Sequence, residues 1–117
     1  MNRTDRKLAE IEARLPHLAC RGLCQSFCGP VMMSDAEEDR MRRAGFEPPN
    51  AEAMIRTGCL ACPLLRHDGR CAAYAVRPMV CRLWGVARGM ECPHGCTPSR
   101  YAGREESKRL LALVAAL

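Results

Sequence analysis

The residues able to do chemistry here are cysteines. There are nine, Cys20, Cys24, Cys28, Cys59, Cys62, Cys71, Cys81, Cys92 and Cys96, in a chain of 117 residues. They fall in groups: three separated by three residues each, a Cys-x2-Cys pair, two more at wider spacing, and a last Cys-x3-Cys pair. A tetrahedral metal centre needs thiolates that converge within about 4 Å of one another, and short spacings deliver them in pairs. Turn formers flank most of them, among them Gly22, Gly29-Pro30, Gly58, Pro63, Gly69, Pro93 and Gly95. Such turns aim backbone amides at sulfur and favour the thiolate. Buried free cysteines acting as small hydrophobes would account for one of them, not for nine in clusters.

An all-sulfur donor set is soft and suits zinc or an iron–sulfur cluster. Only Cys59 and Cys62 show the x2 spacing most common in zinc knuckles. The x3 spacings lean toward iron–sulfur, with zinc as the alternative. His17, His67 and His94 add little. His94 sits between Cys92 and Cys96, His67 belongs to a turn and His17 follows Pro16, so none is expected to be a ligand.

The elements that must hold these sulfurs are short. Residues 4 to 15 carry Leu8, Ile11 and Leu15 at helical spacing before Pro16. Ser34 and Glu37 form a capping box, Asp35 and Glu38 suit the positive end of a helix dipole, and Arg40, Arg42 and Arg43 follow. Gly45 is a left-handed stop, after which Phe46 can fold back on Met41. Asn50 caps a short helix that Gly58 ends. The turn His67-Asp-Gly-Arg70 predicts a tight loop bringing Cys62 and Cys71 together. Thr97 before Pro98 reads as the start of a final helix, with Gly103 able to delay it and Leu110, Leu113, Val114 and Leu117 as its apolar stripe. Strands are expected to be few and confined to residues 60 to 75.

The expected fold is therefore a small, mainly α, metal-stabilised domain with short helices and loops around cysteine-ligated metal. It is expected to form a single domain over 1–117: an N-terminal helix within 1–19, a cysteine-cluster core over 20–96 and a C-terminal helix within 97–117. Leu, Ile, Val and Phe supply only 21 residues of 117, little material for an apolar core. Metal removal is accordingly expected to unfold the chain.

The start of the chain lacks the apolar stretch of a secretory signal, and its longest apolar run, Leu110 to Leu117, is far too short to span a bilayer. A soluble, cytoplasmic protein with reduced thiols and no membrane partner is expected. Arginine supplies 16 of the 18 basic residues, against 13 acidic ones. Eight thiolates with two dications would bring the net charge from +5 to +1, so long-range attraction to nucleic acid is not favoured. A protein partner is compatible with the sequence and unspecified by it. Paired carboxylates, a Ser/His/Asp set and a phosphate-binding glycine loop are all missing from the sequence. Cys20-x3-Cys24-x3-Cys28 has one residue too many for a radical-type Cys-x3-Cys-x2-Cys motif. An enzyme is the minority reading, behind a metalloprotein with a structural, redox or sensing role and a zinc-stabilised interaction module.

Three motifs carry a resemblance. Cys62-Pro-Leu-Leu, Asp68-Gly-Arg-Cys71-Ala-Ala-Tyr74 and Arg77-Pro78-Met-Val-Cys81-Arg82 resemble the signature of the YkgJ-type cysteine-cluster family, small bacterial zinc- or iron-chelating domains. The likeness spans roughly residues 20 to 84. It departs in the first group, which has x3 gaps and no adjacent cysteines, and after Arg82, where Leu83-Trp84-Gly85 follows. The resemblance implies Cys20, Cys24, Cys28, Cys62, Cys71 and Cys81 as ligands. Cys92 and Cys96 complete eight, enough for two four-thiolate sites, with Cys59 spare. A similar cysteine module in flagellin lysine methylases implies an iron–sulfur cluster, although 117 residues leave little room for that enzyme's other parts. Arg77 and Arg82 are expected to hydrogen-bond carbonyls or offset thiolate charge, and Tyr74 and Trp84 to pack against the site.

Overall fold

Local signals start and stop each helix of the chain. The structure is a computed structural model and describes residues 2–19 and 28–117. Cys20 and Cys24 lie outside the described residues. In α1 (Arg3–Glu12), the Asn2 side chain accepts the Asp5 N–H at 2.8 Å. In α2 (Asp35–Arg43), the Ser34–Glu37 capping box is complete: the Ser34 N–H donates to Glu37 at 2.9 Å, and the Glu37 N–H donates to the Ser34 hydroxyl at 3.2 Å. Gly45 takes φ 94° and ends the helix with paired return bonds, Gly45 N–H to Arg42 carbonyl at 2.9 Å and Phe46 N–H to Met41 carbonyl at 3.1 Å. Asn50 caps α3 (Ala51–Thr57), and Gly58 stops it in the left-handed region. A 3-10 turn at Tyr74–Val76 leads into α4 (Met79–Leu83), and α5 (Arg104–Ala115) follows a long connection.

The protein is mainly α: the described residues contain these five helices, no strand, and four isolated bridges. Helix α5 packs on α1, α2 and α4, and α1 packs on α2. Leu8, Ile11, Ala36, Met79, Leu83, Ala87, Leu110 and Val114 form their shared core, with Leu15, Met90 and Leu113 packed at its edge. Leu8, Met41, Met79, Leu83 and Val114 are fully enclosed, and burying each large side chain contributes about 1.5–3 kcal/mol. Alanine and methionine fill places that branched residues would take elsewhere, at Ala36, Ala73, Ala87 and Ala102 and at Met41, Met54 and Met79. A core poor in Val and Ile is thus still continuous, because Met adapts to irregular gaps.

Helix α4 has no side-chain cap of its own after Pro78. Glu37 supplies one from α2: one carboxylate oxygen serves its own capping box, and the other accepts the buried Met79 N–H. Glu37 is only 3 % exposed and ties the starts of two helices together.

The start of the last helix follows the later of the two positions expected for it. The last helix starts at Arg104, capped by Gly103, and not at Pro98. Residues 97 to 102 are non-helical, with a bend at Ser99-Arg100 between the bridges Leu18↔Pro98 and Ala87↔Ala102. Their N–H groups are spent on these pairings: Ser99 donates to the His17 carbonyl and Ala102 to that of Val86, both at 2.8 Å. The expectation of few or no strands holds: the described residues form none, and the pairing is limited to four isolated bridges. At one of them, Gly85 has φ 87°, and a Cβ there would stand 2.6 Å from Leu18 Cδ2. Only glycine admits that approach. No helix is long and apolar enough to cross a membrane among the described residues.

Candidate metal centre

Cys28, Cys62, Cys71 and Cys81 come from four separate places in the chain and lie near enough for the first three to act electrostatically on Cys81 in α4. The Cys62 N–H donates to the Cys28 carbonyl at 3.3 Å, laying the first cysteine segment against the second. Gly29 makes room for this, because a Cβ on it would lie 3.3 Å from the Leu60 carbonyl oxygen. The predicted loop then returns the chain. Arg66 N–H donates to the Arg70 carbonyl and Ala72 N–H to that of Leu64, each at 2.8 Å, and Leu65 bridges to Cys71. Asp68 holds the turn by accepting the Arg70 N–H at 3.0 Å, and Gly69 takes φ 81°. Cys81 projects from α4, whose start is fixed by Glu37.

The electrostatics report the gathering directly. Burial pushes the Cys81 thiol up to about 12, and the charges of Cys62, Cys71 and Cys28 push it the same way, in that order. Burial also raises Cys62, helped by the charge of Cys71, while the N–H groups of Leu64 and Leu65 oppose the rise by hydrogen-bonding toward the sulfur. Half-buried thiols such as Cys62 and Cys81, which burial holds in the neutral form, are soft donors that a soft cation would draw into the thiolate form. The donor chemistry therefore fits zinc or an iron–sulfur cluster. Among the described residues, no three His, Cys, Asp or Glu side chains stand close enough to grip an ion as placed.

The other described cysteines are Cys59, Cys92 and Cys96. Cys92 and Cys96 bracket a separate turn, in which the His94 N–H donates to Cys92 Sγ at 3.4 Å and Gly95 takes φ 84°. Neither is among the groups that act most on Cys81. Cys59 is exposed at the start of the loop and is likewise absent from that set. Cys59, Cys62, Cys71, Cys81 and Cys96 carry free thiols.

Both arginines of the Arg-Pro motif act as expected on carbonyls. Arg77 donates to the Tyr74 carbonyl at 2.8 Å and stacks 3.8 Å over the Tyr74 ring, and its charge draws Cys81 back down. Arg82 Nε donates to the Arg77 carbonyl, and its terminal nitrogen to the Ala75 carbonyl, both at 2.9 Å. Tyr74 is 56 % exposed, so it does not pack under the site as expected; the stacked guanidinium holds it at the surface. Trp84 is half-buried.

Sequence reasoning missed the group behind Arg82. Glu12 of α1 lies 2.8 Å from Arg82 Nε and takes two bonds from Arg40, at 2.9 and 2.6 Å. The Glu12 and Arg40 side chains are each 9 % exposed. The hydrogen bonds that Arg40 donates to Glu12 raise the Arg40 guanidinium, whereas burial lowers that of Arg82. A signal was present: Asp5 and Glu12 lie seven residues apart on the α1 face that also carries Leu8. Carboxylates flanking a core stripe call for buried cations.

Searches among curated proteins and among solved structures found no match. A family model does match, over residues 19–107, and it encloses all nine cysteines. The gathered thiols and this match agree, and the chain belongs to the CxxCxxCC family, described as a putative zinc- or iron-chelating domain.

Proposed function

We propose that the chain is a soluble, cytoplasmic metal-binding protein whose thiolates hold an iron–sulfur cluster, with a structural and redox or sensing role. One four-thiolate set is Cys28, Cys62, Cys71 and Cys81. Cys20, Cys24, Cys92 and Cys96 are the remaining ligands of the eight, and Cys59 is spare. The observation that carries this reading is the backbone pairing that sets Cys28 against Cys62 and folds Cys71 back onto the loop after Cys62. Bound there, a cluster would supply one-electron chemistry, and the amides that point at Cys62 would tune it by withdrawing charge from sulfur. The chain's own part is to present thiolates from a rigid helix, α4, and a braced loop.

Anaerobic purification with iron, zinc and acid-labile sulfide analysis tests the reading. Iron with matching sulfide and broad visible absorption is the expected result, lost in Cys62→Ser and Cys81→Ser and kept in Cys59→Ser. A colourless protein with stoichiometric zinc would replace the cluster and keep the thiolate site. Full metal content in Cys62→Ser and Cys81→Ser would overturn the site.

A further inference from the structure

We infer that Glu12 is a positioning residue for the metal ligand Cys81, acting through Arg82; this rests on the reading of Cys81 as a ligand. Glu12 lies outside the span that the family model covers, which begins at residue 19. Its carboxylate is buried between two guanidiniums. Arg40 grips it with two hydrogen bonds, and Arg82 Nε stands 2.8 Å from the same oxygen that Arg40 holds at 2.6 Å. Arg82 follows Cys81 directly and also holds the carbonyls of Ala75 and Arg77. Arg40 reaches the Arg77 carbonyl from the other side at 3.4 Å.

The segment entering α4 is thus clamped at two carbonyls by arginines that share one carboxylate. Among the described residues, Glu12 is the carboxylate paired with both guanidiniums. Glu37 and Asp5 contribute to Arg40 only after Glu12, and Arg77 opposes Arg82. Removing the Glu12 charge leaves Arg40 and Arg82 repelling each other next to the residue that carries the thiol. Groups that orient a ligand without touching the metal are worth about 10–100-fold in affinity when lost.

The test titrates the metal-free full chain with cobalt(II) under anaerobic conditions. Thiolate-bound cobalt is read by its visible bands and by competition with a chelator. Glu12→Gln is expected to weaken cobalt binding about 10–100-fold and to shift the bands. Leu110→Ala, a core change in α5, is expected to lower the melting temperature and leave the bands of folded protein in place. Should Glu12→Gln fail to fold, Arg82→Lys decides by the same two readouts, since it keeps the charge beside Glu12 and loses the double carbonyl grip. Wild-type affinity and bands in Glu12→Gln, or equal weakening in Leu110→Ala, would overturn the inference and leave the thiolate site standing. A wild-type chain that takes up no cobalt through sulfur would overturn the site itself.

Discussion

The helical region and the cysteine loops are completed by different means. In the first, five large side chains are fully enclosed, and even the charged Glu12, Glu37 and Arg40 find close partners. In the second, every described cysteine is half-buried or exposed, and Met32 and Leu60 stand more than half open. No described cysteine belongs to the apolar core. The helices satisfy their own polar groups through caps and shared carboxylates. The loops gather thiols whose charges repel. One region is closed by packed side chains, and the other is held by backbone turns.

That contrast can be broken by three measurements. The largest effect is expected from Leu8→Ala, at the fully buried centre of α1. It should cost about 2–5 kcal/mol and lower the thermal midpoint whether or not metal is bound. A small change would mean that the apolar core is not the main support. The second effect is smaller in total and sharper in place. Metal removal should accelerate amide exchange across residues 59 to 72 while α1, α2 and α5 keep their protection. Collapse of all helices on chelation, the outcome that composition alone suggests, would erase the distinction between the regions. The smallest effect concerns the exposed pair Arg100–Glu106 at 2.8 Å. The hydrogen bond from Arg100 holds the Glu106 carboxyl below its ordinary value. A carboxyl depressed by folding stabilises above its unfolded value, about 4.3, and that support is lost as pH falls through the lower folded value. Titration of Glu106 by NMR should show it depressed in the wild type and restored in Arg100→Ala; no difference would remove the pair from the account.

What was legible in the sequence was local. Ser34 with Glu37, Gly45 with Phe46 and Asn50 with Gly58 each bound a helix through contacts within a few residues, and each stands where its spacing indicated. The Asp68–Gly69 turn was legible for the same reason and carried with it the meeting of Cys62 and Cys71. Thr97-Pro98 misled because partners far away in the chain, His17 and Leu18, claim that segment before a helix can use it. The double service of Glu37 was hidden, since a capping box accounts fully for one oxygen and is silent on the other. Pairing the thiols required three dimensions, because Cys28 and Cys81 are brought together by the loops between them and not by spacing. Cys20 and Cys24 lie outside the described residues, so the second thiolate set rests on the sequence.

Helices α1 and α5 come from opposite ends of the sequence and share one core, which sets an order of events. Leu8 emerges early in synthesis and Leu110 and Val114 late, with all nine cysteines between them. Contacts so distant along the chain cannot form until the ribosome has made α5. During translation the thiols are therefore displayed before the scaffold that presents them exists, and whichever soft ion or oxidant reaches the nascent chain first has the advantage.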